Sequence, residues 1–292
     1  MNTENNITRY HKPYEELTFT DDFMFRKVLM NNSDLCKRLV ELLLNVEIDH
    51  IEYKSDNHSL ETSSDKKSVR LDVYLKDENG TVFDLEMQNT RKDELPRRTR
   101  FYQSMIDIEH LDAGASYDEL PDSYIVFICT FDPYEAGLPK YEFRELCIEN
   151  PSIELGAGVS KVFINAKSRS KEVSGDMRSF LDYLCGKNAS SELTKDIESN
   201  ILQAKERGIW RREYMTLEDS LKVERKQWLK EGRAEGLAEG LAEGLAEGRA
   251  EAKMDAIDKL VAEGILDEAK ACEVLGVSPE DYSKYKSQNT ES

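Results

Sequence analysis

Apolar and polar side chains alternate with a period of two on both sides of a short turn sequence between residues 69 and 89. Leu71, Val73 and Leu75 alternate with Asp72, Tyr74 and Lys76, and Phe83, Leu85 and Met87 alternate with Asp84, Glu86 and Gln88. Asp77-Glu78-Asn79-Gly80 lies between them, so the segment predicts a β-hairpin. A two-residue Asn-Gly loop would set Asp72 against Met87, a polar side chain against an apolar one. A three-residue loop, Glu78-Asn79-Gly80 with Gly80 left-handed, pairs Leu71 with Met87, Val73 with Leu85 and Leu75 with Phe83. A one-residue slip flips every side chain, so the apolar face selects the second register. That register sets Asp72 opposite Glu86 and Arg70 opposite Gln88.

The same reading places helices at Tyr14–Asn31, with Thr20 or Asp21 as N-cap, at Ser33–Leu44 and at Leu95–Leu111. Strands are expected at Val46–Tyr53, Tyr141–Cys147 and Val159–Ile164. Tyr124–Phe131 is a continuous apolar run, as suits a strand covered on both faces. The predicted class is α/β, a mixed β-sheet flanked by helices, with an all-helical C-terminal extension. Its divisions are a loose lead at 1–13, a core at 14–168, a helical region at 169–229, a glycine-repeat spacer at 230–252 and a small helical module at 253–292.

The spacer has Gly at 232, 236, 240, 244 and 248 and Leu at 237, 241 and 245. Four residues advance about 400° in an α-helix, so each residue type forms a slowly drifting stripe. Gly costs about 1 kcal/mol per helical position, which predicts partial helicity. The glycine stripe also leaves a homo-oligomer through the C-terminal helices open.

The 292 residues hold no apolar run of the ~18 needed to span a bilayer, and the polar N-terminus does not read as a signal peptide. Five scattered cysteines form no CxxC or Cys/His cluster, which argues against zinc and disulfides and for reduced thiols in cytoplasm. The four histidines are dispersed, and no P-loop or GxSxG occurs. The net charge of −18 is unevenly spread. Arg91–Arg100 carries five basic and two acidic side chains, and Lys205–Arg233 nine and six. Such strips can meet phosphates even on an acidic chain.

Facing carboxylates are the chemical signal. Cross-strand Cβ atoms lie about 5 Å apart, where two negative charges repel by roughly 3 kcal/mol at an effective dielectric of 20. Either the face is solvated and carries two surface acids, or a shared proton, an Arg or a hard divalent cation such as Mg²⁺ or Mn²⁺ relieves the repulsion.

Asp72, thirteen intervening residues and then Glu86-Met87-Gln88 resemble the Gln-bearing version of the PD-(D/E)XK nuclease motif. Around it TFTDDFMFRKVL (Thr18–Leu29), RRTRFYQSM (Arg97–Met105), DSYIVFICTFD (Asp122–Asp132) and the glycine-repeat tail resemble the recombination-promoting nuclease (transposase-like) family. The resemblance covers residues 10–290 and implies a restriction-endonuclease-like core. It implies metal-dependent DNA endonuclease activity linked to recombination or mobile elements, or else a silent binding module that keeps the fold. Asp72, Glu86 and Gln88 would be catalytic. Asp72, Glu86 and the Met87 carbonyl would hold Mg²⁺ or Mn²⁺, with Asp22 acting through a metal-bound water. Gln88, in place of the usual Lys, would orient the attacking water. Arg91, Lys92, Arg97, Arg98 and Arg100 would meet DNA, with Arg98 and Tyr102 facing phosphate or bracing the carboxylates.

Overall fold

Strand propensity in VYLKD and VFDLEMQ, joined by a turn that glycine alone closes easily, builds the centre of the molecule. The computed structural model describes residues 12–53, 58–60, 68–173 and 175–289. All but Lys12 and Pro13 of the expected lead lie outside them. Strand β4 (Val73–Asp77) pairs antiparallel with β5 (Val82–Gln88), with Val73 opposite Leu85 and Leu75 opposite Phe83. The loop is the three-residue one. Asp77 N–H donates to the Thr81 carbonyl at 3.0 Å. The Asp77 carboxylate accepts from the N–H groups of Asn79 (2.9 Å) and Thr81 (2.8 Å). Gly80 has φ +87°, a conformation that L side chains rarely adopt.

The hairpin ladder stops at Val73. Asp72 forms a bend, and β3 (Val69–Leu71) turns away to pair with β2 (His58–Leu60), which sets Arg70 opposite Ser59 rather than Gln88. The expected Leu71–Met87 rung is therefore missing.

The six-stranded sheet runs β1-β4-β5-β6-β8-β7, adding β1 (Ile51–Tyr53), β6 (Ser123–Cys129), β7 (Lys140–Phe143) and β8 (Val159–Asn165). β6 lies parallel to both β5 and β8, and the outer strands are antiparallel. β1 and β7 are shorter than their apolar patterns suggest, as befits edges. One face carries Val73, Leu75, Phe83, Leu85 and Met87 into a core with α1 (Asp22–Met30) and α2 (Ser33–Leu44). The other face carries Tyr74, Ile125, Phe127 and Phe163 against Tyr102, Met105 and Ile106 of α3 (Leu95–His110). The apolar run of β6 is thus covered on both sides.

Two compact units divide the chain at residue 218/219. Most of the helical region at 169–229 belongs to the first unit. Phe180, Leu181 and Leu184 of α4 (Gly175–Leu184) and Leu193, Ile197 and Ile201 of α5 (Glu192–Glu206) enter the same core as α1 and α2. Their apolar stripes need a surface to bury, and the sheet's first helical layer supplies it.

The repeat lies in α6 (Gly208–Ala262), one continuous helix in which every residue from Lys222 to Lys253 is exposed. In the second unit the end of α6 packs with α7 (Glu268–Leu275) and α8 (Pro279–Asn289) around Ile257, Ala271, Cys272 and Tyr282. Tyr282 donates to Asp258 at 2.5 Å and Tyr285 to Asp255 at 2.7 Å. Among the described residues no helix is long and apolar enough to cross a membrane.

Candidate active site

Period two puts Asp84, Glu86 and Gln88 on one face of β5, and the packing of α3 over that face removes them from water. They are 0%, 4% and 3% exposed, so this face is a polar interior rather than a solvated surface. Asp72 and Glu86 meet where the ladder breaks. The Asp72 N–H donates to Glu86 Oε1 at 3.1 Å, and the Met87 N–H donates to Asp72 Oδ2 at 3.3 Å. Each carboxylate replaces a lost backbone rung, which ties the two acids together at a single bend.

The charges around them come from two helices. Arg98, one turn into α3, donates through Nη2 to Glu86 Oε2 (3.3 Å) and to the Tyr102 hydroxyl (2.7 Å). Its Nη1 donates to Gln88 Oε1 at 3.1 Å. Its guanidinium lies 5.3 Å from the Tyr102 ring centroid and 5.2 Å from that of Phe127. Arg26 of α1 brings Nε to 4.0 Å from Asp72 Oδ1. The start of α1 is held beside the end of β5 by a hydrogen bond from Asn89 to the Thr20 carbonyl, which brings Asp22 into the same cleft.

Burial, then the Asp72 and Asp84 charges, push the Glu86 carboxyl well above the usual carboxylate range, although Arg98 and the Asp72 N–H pull it back. Asp84 is raised for the same first reason, burial, and then by Asp72. Among the described residues neither oxygen of Asp84 has a hydrogen-bond partner. Burial also raises the Tyr102 hydroxyl, followed by the Glu86 charge. Arg98 is pulled down by its own burial, but Tyr102, Glu86 and Asp72 outweigh that and leave it raised.

Asp72, Glu86 and Met87 border a cleft of about 580 Å³ with Asp22, Gln88, Lys92, Arg97, Arg98 and Tyr102. Of the basic strip, Lys92, Arg97 and Arg98 reach this cleft. Arg91 lines another depression and is paired with Glu135, while Arg100 is exposed and borders neither. The amide of Gln88 is engaged at both ends, accepting from Arg98 and donating to the Thr90 carbonyl at 2.5 Å.

Sequence reasoning passed over Asp84 and Arg26. Asp84 carried a signal, since it stands two residues before Glu86 on the same strand face. Arg26 had only its spacing of four from Asp22.

Asp72, Glu86 and the Met87 carbonyl are an all-oxygen donor set with the Asp84 carboxyl behind it. Among the described residues no group of three or more His, Cys, Asp or Glu side chains converges on a metal position. Two carboxylates suit Mg²⁺ or Mn²⁺, ions that keep several waters and complete their shell with phosphate oxygens. The residues therefore fit such an ion.

Neither the curated proteins nor the solved structures compared with the chain gave a match. Residues 19–151 match the sequence model of a family described as PD-(D/E)XK nuclease family transposase. That span contains α1, the broken hairpin and α3, which border the cleft, and β6 beside β5. The mixed sheet with its flanking helices is consistent with a PD-(D/E)XK fold, and the segment 19–151 is similar in sequence to that family.

Proposed function

We propose that the chain is a metal-dependent DNA endonuclease that hydrolyses phosphodiester bonds, in a role linked to recombination or mobile elements. The observation that carries this reading is the interlocked pair Asp72 and Glu86, held at the floor of a cleft whose rim includes Lys92, Arg97 and Arg98. Like charges packed this closely cost stability, and a catalytic role gives a reason for their placement.

Asp72, Glu86 and the Met87 carbonyl would hold Mg²⁺ or Mn²⁺, with Asp22 reaching it through a water. When bound, the ion supplies positive charge at a phosphoryl oxygen and lowers the pKa of a water. Lys92 and Arg97 bind flanking phosphates and align the strand. In the reaction a water oxygen bonds to phosphorus and the bridging P–O bond breaks. The water proton passes to solvent, and the leaving oxygen takes one up.

Gln88, uncharged and engaged at both ends, favours a second reading, a catalytically weak or inactive nucleic-acid- or protein-binding module that keeps the nuclease fold. Incubating the purified protein with supercoiled plasmid, with and without Mg²⁺ or Mn²⁺, separates the two. Metal-dependent nicking or linearisation that is lost in Asp72→Asn and Glu86→Gln supports the endonuclease. Binding without cleavage supports the second reading.

A further inference from the structure

We infer that Arg98 supplies the positive charge at the scissile phosphate, and that Gln88 is the positioning residue that holds it there. The inference rests on the endonuclease reading. It separates Arg98 from the surface basic side chains that meet the rest of the DNA backbone.

Three observations carry it. A guanidinium has five N–H donors. Among the described residues three of those of Arg98 are taken, one on Nη1 by Gln88 and both on Nη2 by Glu86 and Tyr102, which leaves one on Nη1 and the one on Nε for a ligand in the cleft it lines. The fork is fixed from below by the Tyr102 and Phe127 rings, so little motion is needed to meet an oxyanion. Gln88 is 3% exposed and both ends of its amide are used. An amide can accept from Arg98 and donate to the Thr90 carbonyl at once. A Lys at 88 has no acceptor and would set a second positive charge against Arg98.

The identity of residue 88 and the presence of Arg98 are therefore one arrangement. The strand side chain orients the cation, and the cation comes from the helix. Phosphoryl transfer builds negative charge on the non-bridging oxygens, and a half-buried, pre-oriented guanidinium answers it with its charge and a remaining N–H donor.

The test is a charge transplant. Arg98→Met, Arg98→Lys, Gln88→Lys and the double variant Gln88→Lys/Arg98→Met are compared with parent and with Arg97→Gln. The measurements are single-turnover plasmid cleavage in Mg²⁺, metal-free DNA affinity and thermal unfolding. Arg98→Met is expected to lower kcat by about 10²–10³-fold while metal-free affinity stays near that of the parent. Arg98→Lys should fall between the two, because the three donors of one ammonium cannot serve Gln88, Glu86, Tyr102 and a phosphate together. Gln88→Lys/Arg98→Met should regain at least about tenfold over Arg98→Met, which a merely structural role for Arg98 would not produce. In Arg97→Gln the loss should fall on KM and affinity.

If Arg98→Met folds and loses only affinity, or the folded double variant is as slow as Arg98→Met, the inference is overturned and the nuclease reading stands. If Arg98→Met fails to fold, Arg98→Lys and the double variant decide between the same outcomes. A parent protein inert in both Mg²⁺ and Mn²⁺ removes the nuclease reading itself, and this inference with it.

Discussion

Phe83, Leu85 and Met87 on one face of β5 are about as buried as Asp84, Glu86 and Gln88 on the other, yet burial acts on the two sets in opposite directions. On the first face each side chain leaves water for a close-packed core and stabilises the fold by roughly 25 cal/mol per Å² of apolar surface. On the second, carboxylates lose their hydration, repel one another and are only partly compensated by Arg98. One strand thus holds the sheet together with its odd-numbered positions and carries a destabilised, reactive cluster on its even-numbered ones. The stable face sets the register, and the register aims the costly one.

The contrast can be broken from either side. The largest effect is expected at the polar face. Asp72→Asn or Glu86→Gln should reduce metal-dependent cleavage by about 10³-fold or more, matching the several kcal/mol a bound ion contributes. Both variants should unfold at the same or higher denaturant concentration than the parent, since a repelling charge is gone. The apolar face should respond in reverse. Leu85→Ala should lose about 2–5 kcal/mol of unfolding free energy, while the activity of the molecules that remain folded persists. Urea titrations beside cleavage assays check both, and a Glu86→Gln variant that unfolds as easily as Leu85→Ala would erase the distinction.

A smaller effect concerns pH. Asp84 and Glu86 are raised in the folded protein, so their contribution is fully present below the unfolded carboxyl pKa of about 4. It is lost as pH rises through the raised folded value. Asp84→Asn removes one such group, so its stability should fall less steeply with pH than that of the metal-free parent. The difference should reach at most about 1.4 kcal/mol per pH unit inside that window. Parallel pH–stability curves for the two proteins would show that Asp84 does not titrate there.

The smallest effect sharpens the rim. Lys92 and Arg97 line the cleft, whereas Arg91 is paired with Glu135 and Arg100 lies outside it. Neutralising Lys92 and Arg97 should reduce the log–log salt slope of DNA binding by about 0.7–0.9 per lost phosphate contact. Neutralising Arg91 and Arg100 should change it less. Equal slopes for the two double variants would move the DNA path off this cleft.

Much of this site is legible in the order of the residues alone. Alternation along Leu71–Leu75 and Phe83–Met87, with a glycine able to take φ +87°, settles the loop length and brings Asp72 to Glu86. The bend at Asp72 is hidden there, because it depends on β3 leaving to pair with β2. The contacts of Arg98 with Gln88 and Glu86 are hidden too, since the residues are ten and twelve positions apart and sit on different elements.

The sequence by itself determined what is local and periodic: the hairpin register, the apolar stripes of α2 and α3, and the doubly apolar run of β6. Such features follow from backbone geometry and the spacing of side chains, which need no distant partner. Only the tertiary structure decided what is buried and what is charged. It turned the polar face of β5 inward beneath α3, left Asp84 without a hydrogen-bond partner among the described residues, and drew α4 and α5 into the first core. Desolvation and charge coupling depend on everything packed around a group, and sequence spacing records only its neighbours along the chain.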